Sequence, residues 1–100
     1  MAELHIALQE GFDGDEVIVL IDGQDVYRRP GVTTRTQIGL ADSFTRKVAD
    51  RRVAVEVRLP GRGASGLIDV DGNRPCHIGV SVTPAGRVAL RAQDEPFGYL

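Results

Sequence analysis

The chain is poor in residues that cross-link or stack. Its 100 residues include one cysteine, one methionine, two tyrosines, three phenylalanines and no tryptophan. Cys76 has no second cysteine to pair with, so an internal disulfide is excluded, and a reducing compartment is the simplest interpretation. Because the chain is 42% hydrophobic but only 5% aromatic, we expect a core of Val, Ile and Leu.

Long hydrophobic runs are also missing from the sequence. No segment reaches the roughly 18 apolar residues that a membrane-spanning helix requires. The first residues, Met1–Ile6, show neither the basic region nor the apolar stretch of a secretory signal. We therefore expect a cytoplasmic protein that makes no membrane contact.

Neither sign of charge dominates. Fourteen acidic residues slightly exceed twelve basic ones, which gives a formal net charge of −2. General electrostatic attraction to nucleic acid is therefore not expected. Two basic doublets, Arg28–Arg29 and Arg51–Arg52, lack the interleaved aromatic residues on which single strands stack. We interpret them as solvated strand faces and expect no nucleic acid partner.

What the chain does have is a period of two. Apolar and polar residues alternate in four segments, a pattern typical of strands with one buried face. The clearest of these segments runs from Arg52 to Leu59. The buried faces are predicted to carry Leu4, Ile6, Leu8, Val53, Val55, Val57, Leu59, Ile78, Val80, Val82, Val88 and Leu90.

One strand breaks this alternation. Glu16–Asp22 contains five consecutive apolar residues, four of them β-branched, a run that is too short for a buried helix and favours a strand. Because both faces of this strand are apolar, we expect both to be covered. The core would cover one face, and residues 40–50, residues 96–100 or another chain would cover the second.

The turn after this strand has two interpretations. A two-residue loop over residues 23–24 would place glycine first, as a type II′ turn requires. It would also oppose Asp22 and Asp25, and like charges directly opposed are unfavourable. A four-residue loop avoids that contact. Both interpretations pair Ile21 with Val26.

Weaker segments complete the predicted set of strands. Thr33–Ile38 has the β-branched content of an edge strand, and Gly66–Val70 is short. Residues 40–50 could form a short helix or an irregular strand, with at most one helical turn near 41–49. About eight short strands predict an all-β fold, an antiparallel sandwich or small barrel, in one domain spanning 1–100. This strand rhythm resembles that of immunoglobulin-like and accessory β-sandwiches, which implies a fold but no function.

Acidic turns raise the question of metal binding. Asp69, Asp71 and Asn73 are spaced like the first ligands of a calcium loop, where several oxygens surround a hard cation. The glycine that follows is misplaced for an EF-hand, however, and Val80 stands where the distal glutamate would be. We therefore interpret the segment as a hairpin turn and expect no metal site and no cofactor.

Cys76 and His77 are the residues that most suggest chemistry. Neighbours on a strand point to opposite faces, so the two side chains cannot readily act together, and Cys76 is expected to be buried. Zinc would require about four ligands, and beyond this pair the chain offers only His5. No nucleophile elbow or phosphate loop occurs, and we assign no catalytic residue.

The sequence thus predicts a small, non-enzymatic protein-interaction or assembly module. Soluble monomers seldom expose large apolar patches, and symmetric dimers are the commonest oligomers. We therefore expect a homodimer with Ile18 and Leu20 at or near the contact. A first alternative is a ligand-binding module that holds calcium or a carbohydrate through its acidic loops, with Tyr27 or Tyr99 stacking on a sugar. A second alternative is a small enzyme built from scattered residues such as His5, His77, Asp69 and Asp71.

Overall fold

The computed structural model describes residues 2–97, which fold into two four-stranded sheets packed together. The strands are β1 (Ala2–Leu8), β2 (Asp15–Ile21), β3 (Gln24–Val32), β4 (Asp42–Val48), β5 (Arg52–Leu59), β6 (Ala64–Asp71), β7 (Cys76–Val82) and β8 (Val88–Gln93). Sheet A has the strand order β4-β1-β7-β8, and sheet B has the order β3-β2-β5-β6. A short 3-10 turn, Pro60–Arg62, connects β5 to β6.

The inner faces of the two sheets carry the alternating apolar residues that the sequence predicts. In β5, Val53, Val55, Val57 and Leu59 are at most 2% exposed, and Leu4, Ile6 and Leu8 of β1 are fully buried. Burying apolar surface at about 25 cal/mol per Å² is the main force that holds the sheets together. The core is aliphatic apart from Phe12 and Cys76, as the composition indicates.

Five of the six strand pairings are antiparallel, and one is parallel. The parallel pair, β1 with β7, lies at the centre of sheet A, where Leu4 is opposite Cys76 and Leu8 is opposite Val80. A parallel pair requires a long crossover connection. Here the intervening chain forms β4 and all of sheet B. The predicted all-β sandwich is confirmed, with this one departure from antiparallel pairing.

Residues 40–50 contain the edge strand β4, so of the two open interpretations the strand is the correct one. It pairs antiparallel with β1, with Phe44 opposite Ile6 and Val48 opposite Ala2. Phe44 packs against the core, and Val48 is 4% exposed. Residues 2–97 contain no helix that is long and apolar enough to cross a membrane.

The prediction of an edge strand at Thr33–Ile38 is wrong. A single bridge joins Arg35 to Leu40, and the chain between them turns. The backbone N–H groups of Ile38 and Gly39 both donate to the carbonyl oxygen of Arg35, at 3.2 and 2.9 Å. These local hydrogen bonds satisfy the backbone without a neighbouring strand, which β-branched content alone did not reveal.

The turn between β2 and β3 is a two-residue loop, Asp22–Gly23, which neither sequence interpretation described. Both residues have positive φ, 51° and 83°, as a type I′ hairpin turn requires. Ile21 therefore pairs with Gln24, not with Val26, and a bulge follows in β3. The Asp22 carboxylate accepts the N–H of Ala54 at 2.9 Å and pairs with Arg51 at 2.6 Å. These hydrogen bonds hold the pKa of Asp22 below its usual value.

The two open sides of the sandwich are closed in different ways. At the β6–β8 side, a Cβ on Gly66 would lie 3.0 Å from Val88, so the missing side chain lets the two edges approach. At the β3–β4 side, the Tyr27 ring stacks on Phe44 with centroids 4.5 Å apart. The Tyr27 hydroxyl donates to Asp42 at 2.7 Å. Both the ring and the hydroxyl of Tyr27 therefore have partners within the chain.

Candidate interaction surface

The outward surface of sheet B, which we call face B, is ordered into two rows that cross the strands. Strand register places Arg28, Ile18 and Arg58 side by side, and we call them the arginine row. The next row is the carboxylate row, with Asp25, Leu20, Glu56 and Leu67 in register. It lies two residues along β2, β5 and β6, and three residues along β3, where the bulge adds one. Face B consists of Glu16, Ile18, Leu20, Asp25, Arg28, Ala54, Glu56, Arg58, Ser65, Leu67 and Asp69.

Ile18 and Leu20, the predicted contact residues, are only 7% and 4% exposed within the single chain. Ile18 lies between Arg28 and Arg58, and Leu20 lies between Asp25 and Glu56. Ion pairs join each arginine to a carboxylate of the next row, so that the arginine stems lie along the sheet and cover apolar surface while the charges reach water. The pairs are Arg58–Glu56 at 2.9 Å and Arg28–Asp25 at 2.8 Å.

This cover changes the argument for a partner at these two residues. The second face of β2 does not require a further segment or chain, because β3 and β5 supply the side chains that cover it. Residues 42–48 belong to sheet A, and Pro96 and Phe97 line a cavity on sheet A. Residues 98–100, the rest of the predicted covering segment, lie outside the described residues. A contact at Ile18 and Leu20 therefore stays a prediction.

Leu67 is the residue that the sequence pattern did not single out. Its side chain is 66% exposed, and it is the only large apolar side chain exposed to this degree among residues 2–97. It lies opposite Glu56 in register, at the end of the carboxylate row. The signal was present in the sequence: Ile68 and Val70 face the core, so Leu67 between Gly66 and Ile68 must face outward.

The two histidines of the chain meet on the outer surface of sheet A. His5 of β1 and His77 of β7 are paired in register, and their rings stack with centroids 4.4 Å apart at 13°. They border an open cavity of about 350 Å³ that Phe44, Pro96 and Phe97 also line. Burial, and after it the neighbouring His5, lowers the pKa of His77. Two stacked imidazoles are at most half of a zinc site.

Asp69, Asp71 and Asn73, the weak metal-ligand candidates of the sequence, lie where the chain passes from sheet B to sheet A, so the segment is not the expected hairpin. Oδ1 of Asp71 accepts both the backbone N–H and the side-chain amide of Asn73, each at 2.9 Å. These bonds hold the pKa of Asp71 below its usual value. Gly72 is buried. A Cβ at this position would lie 2.2 Å from the carbonyl oxygen of Ala49, so the segment has no room for a side chain there. Among the described residues, no group of three or more His, Cys, Asp or Glu is placed to hold a metal ion.

The scattered residues of the enzyme hypothesis do not converge. His5 and His77 line the cavity on sheet A, whereas Asp69 and Asp71 line a different cavity of about 200 Å³. Cys76 faces the core, as predicted from Ile78, and burial raises the pKa of its thiol. A thiol with a raised pKa is a poor nucleophile at neutral pH.

Comparisons with protein-family models, with curated proteins and with solved structures find no match for this chain.

Proposed function

We propose that the chain is a non-enzymatic protein-interaction module that assembles with a second copy of itself through face B, in the reducing environment of the cytoplasm. The single observation that carries this proposal is Leu67. An isoleucine or leucine that is exposed on its own is common on protein surfaces, but Leu67 is aligned in register with Glu56 and Leu20. It therefore extends a row whose apolar members lie just beneath charged side chains.

The shape of the molecule suits a face-to-face contact. Its principal extents are 34 × 30 × 20 Å, so the broad faces are comparable with the roughly 800 Å² per partner of a standard interface. Face B offers one exposed apolar side chain, Leu67 on the edge strand β6, next to charges of both signs. Interfaces between separately folded chains are on the whole about as apolar as the rest of the protein surface, so a face of this composition is compatible with a contact.

Light scattering after gel filtration tests the proposal. The wild-type chain, 10.8 kDa as a monomer, should run at twice that mass, and Leu67→Arg should return it to the monomer mass. Because Leu67 is exposed, this change should leave the circular dichroism spectrum nearly unchanged, and the melting temperature should fall only by the contribution that association makes to stability. Ala89→Arg is the matched control, since Ala89 is exposed on sheet A and the dimer should persist.

Two outcomes would count against the proposal. A wild-type chain that is monomeric across a wide concentration range would remove it. So would a dimer that Leu67→Arg leaves intact while Ala89→Arg breaks it, because the contact would then lie on sheet A. Leu20→Arg is not a suitable probe, since Leu20 is 4% exposed and a charge at that position would destabilise the fold itself.

A further inference from the structure

We infer that two copies dock face B to face B about a two-fold axis. This axis lies in the plane of the contact and is perpendicular to the strands. It runs between the arginine row and the carboxylate row. This inference rests on the proposed function, because it specifies the arrangement of the same contact. It names the partner as a second copy in antiparallel register and identifies the charge pairs that set that register.

The rows make face B complementary to itself. In β2, β5 and β6 successive outward residues are two positions apart, so the two rows are separated by roughly 7 Å; the bulge in β3 places Arg28 and Asp25 three positions apart in the same two rows. Rotation about the proposed axis turns one copy over and reverses its strands. The arginine row of each copy then faces the carboxylate row of the other. Arg58 of one copy faces the second copy's Glu56, and Arg28 faces the second copy's Asp25.

Apolar positions are aligned in the same arrangement. Ile18 lies opposite the second copy's Leu20, but each is at most 7% exposed beneath its charged neighbours and adds little surface to the contact. At the β6 end of the rows, Leu67 faces the second copy's Ser65, and the two copies of Leu67 lie diagonally across the axis. Leucine side chains span that diagonal separation, so the residue that is 66% exposed in one chain becomes covered.

The other in-plane two-fold axis, parallel to the strands, gives a poorer fit. It preserves each row and exchanges β2 with β5, so Ile18 would face the second copy's Arg58 and Leu20 would face its Glu56. Each apolar residue would then desolvate a charge without pairing it. A head-to-tail arrangement would leave one face B open at each end of an assembly and would not close.

The charges in this arrangement determine orientation more than affinity. Within one chain, Nε of Arg58 already donates to Glu56 at 2.9 Å, and Nη2 of Arg28 donates to Asp25 at 2.8 Å. Docking adds a second partner to each charge, so that neither guanidinium nor carboxylate is desolvated alone. Complementary charges fix register and reject wrong arrangements, while the covering of Leu67, the exposed apolar side chain, supplies the apolar part of the binding energy.

Reversing single charges and then mixing the variants tests this arrangement. In Arg58→Glu, the new carboxylate of each copy would face the other copy's Glu56, and in Glu56→Arg, two arginines would meet. Each variant alone should associate at least about tenfold more weakly than the wild type, because like charges would oppose across the contact. In an equimolar mixture, one acidic and one basic chain should form a heterodimer, which native mass spectrometry identifies by its mass. Arg87→Glu, a charge reversal at the β7–β8 turn away from face B, should keep the homodimer.

The outcomes separate the arrangement from the function. If the wild-type chain is monomeric, the proposed function fails. If the wild type dimerises but both single reversals dimerise equally well alone, self-association stands and the two-fold arrangement is overturned. If both reversals are monomeric and their mixture forms no heterodimer, the arrangement is overturned as well, because the Arg58–Glu56 contact between copies is then absent.

Discussion

His5 and His77 stack ring on ring across the parallel seam of sheet A, with centroids 4.4 Å apart. Burial, and secondarily His5, lowers the pKa of His77 from its ordinary value of 6.5. His77 therefore binds a proton more readily in the unfolded chain than in the folded chain. The free energy of unfolding should fall as the pH drops through about 6.5 toward the folded pKa.

Urea melts between about pH 7.5 and 5.5 measure this dependence. The wild-type midpoint should be lower at the acidic end, and His77→Gln should remove most of the difference. His5→Gln removes only the smaller of the two causes, so it should remove less. The melts are made in the Leu67→Arg background, where association does not contribute to stability. A wild-type midpoint that does not change over this range would contradict the prediction.

Arg62 and Asp15 join the 3-10 turn to the start of β2. Nε of Arg62 donates to Oδ1 of Asp15 at 2.7 Å and Nη2 donates to Oδ2 at 3.0 Å, and Asp15 is 9% exposed. Asp15→Asn should cost about 1–3 kcal/mol, because a charge-assisted pair in a buried position is lost. The hydrogen bond from Arg62 lowers the pKa of Asp15 from 3.8, so this contribution is present above that pH and is lost as the pH falls through the folded value. Asp25→Asn, in an exposed pair, should change the melting midpoint far less when both variants are compared in the Leu67→Arg background, where the proposed contact of Asp25 with a second copy does not contribute.

The Asp22–Gly23 turn should be sensitive to a side chain at its second position. Gly23 has φ of 83°, a conformation that costs other residues about 1–2 kcal/mol. Gly23→Ala should lower stability by that amount, although the space around it is open. Gly61→Ala is the matched control, because Gly61 also has open space but no positive φ. Equal melting temperatures for the two variants would contradict the type I′ turn.

The strand register of β5 can be checked in the core. Val57 is fully buried, and Val57→Ala should cost roughly 1–3 kcal/mol through lost burial and a small cavity. Glu56 lies on the outer face, and Glu56→Ala should stay within about 0.5 kcal/mol in the Leu67→Arg background. A larger loss for Glu56→Ala in urea melts would reverse the assigned faces.

Calcium should bind weakly at the Asp69–Asn73 segment. The Asp71 carboxylate is engaged in its own turn, with two hydrogen bonds from Asn73, and a cation would have to displace them. We expect no calcium affinity tighter than about 10⁻³ M in a calorimetric titration. A micromolar site that Asp71→Asn abolishes would defeat this prediction and favour the ligand-binding alternative. Among the sugar-stacking candidates, Tyr27 is stacked on Phe44, and Tyr99 lies outside the described residues.

Local patterns in the sequence were enough to identify the alternating strands and their buried faces, but not β3. The alternation of Val53, Val55, Val57 and Leu59 requires one buried face, because successive side chains of a strand point in opposite directions. The same rule placed Cys76 inward and His77 outward. It failed at Thr33–Ile38, where composition indicated a strand but local hydrogen bonds to Arg35 form a turn.

Tertiary structure decided which strands are neighbours, and with that, which surfaces are free. The sequence determined that β2 has two apolar faces, but it did not show that charged residues of β3 and β5 cover Ile18 and Leu20. It could not bring His5 beside His77 or align Leu67 with Glu56, because pairing between strands depends on contacts between residues far apart in the chain. Alternation is a property of one strand and is readable locally, whereas register and sheet order emerge only when the whole core is packed.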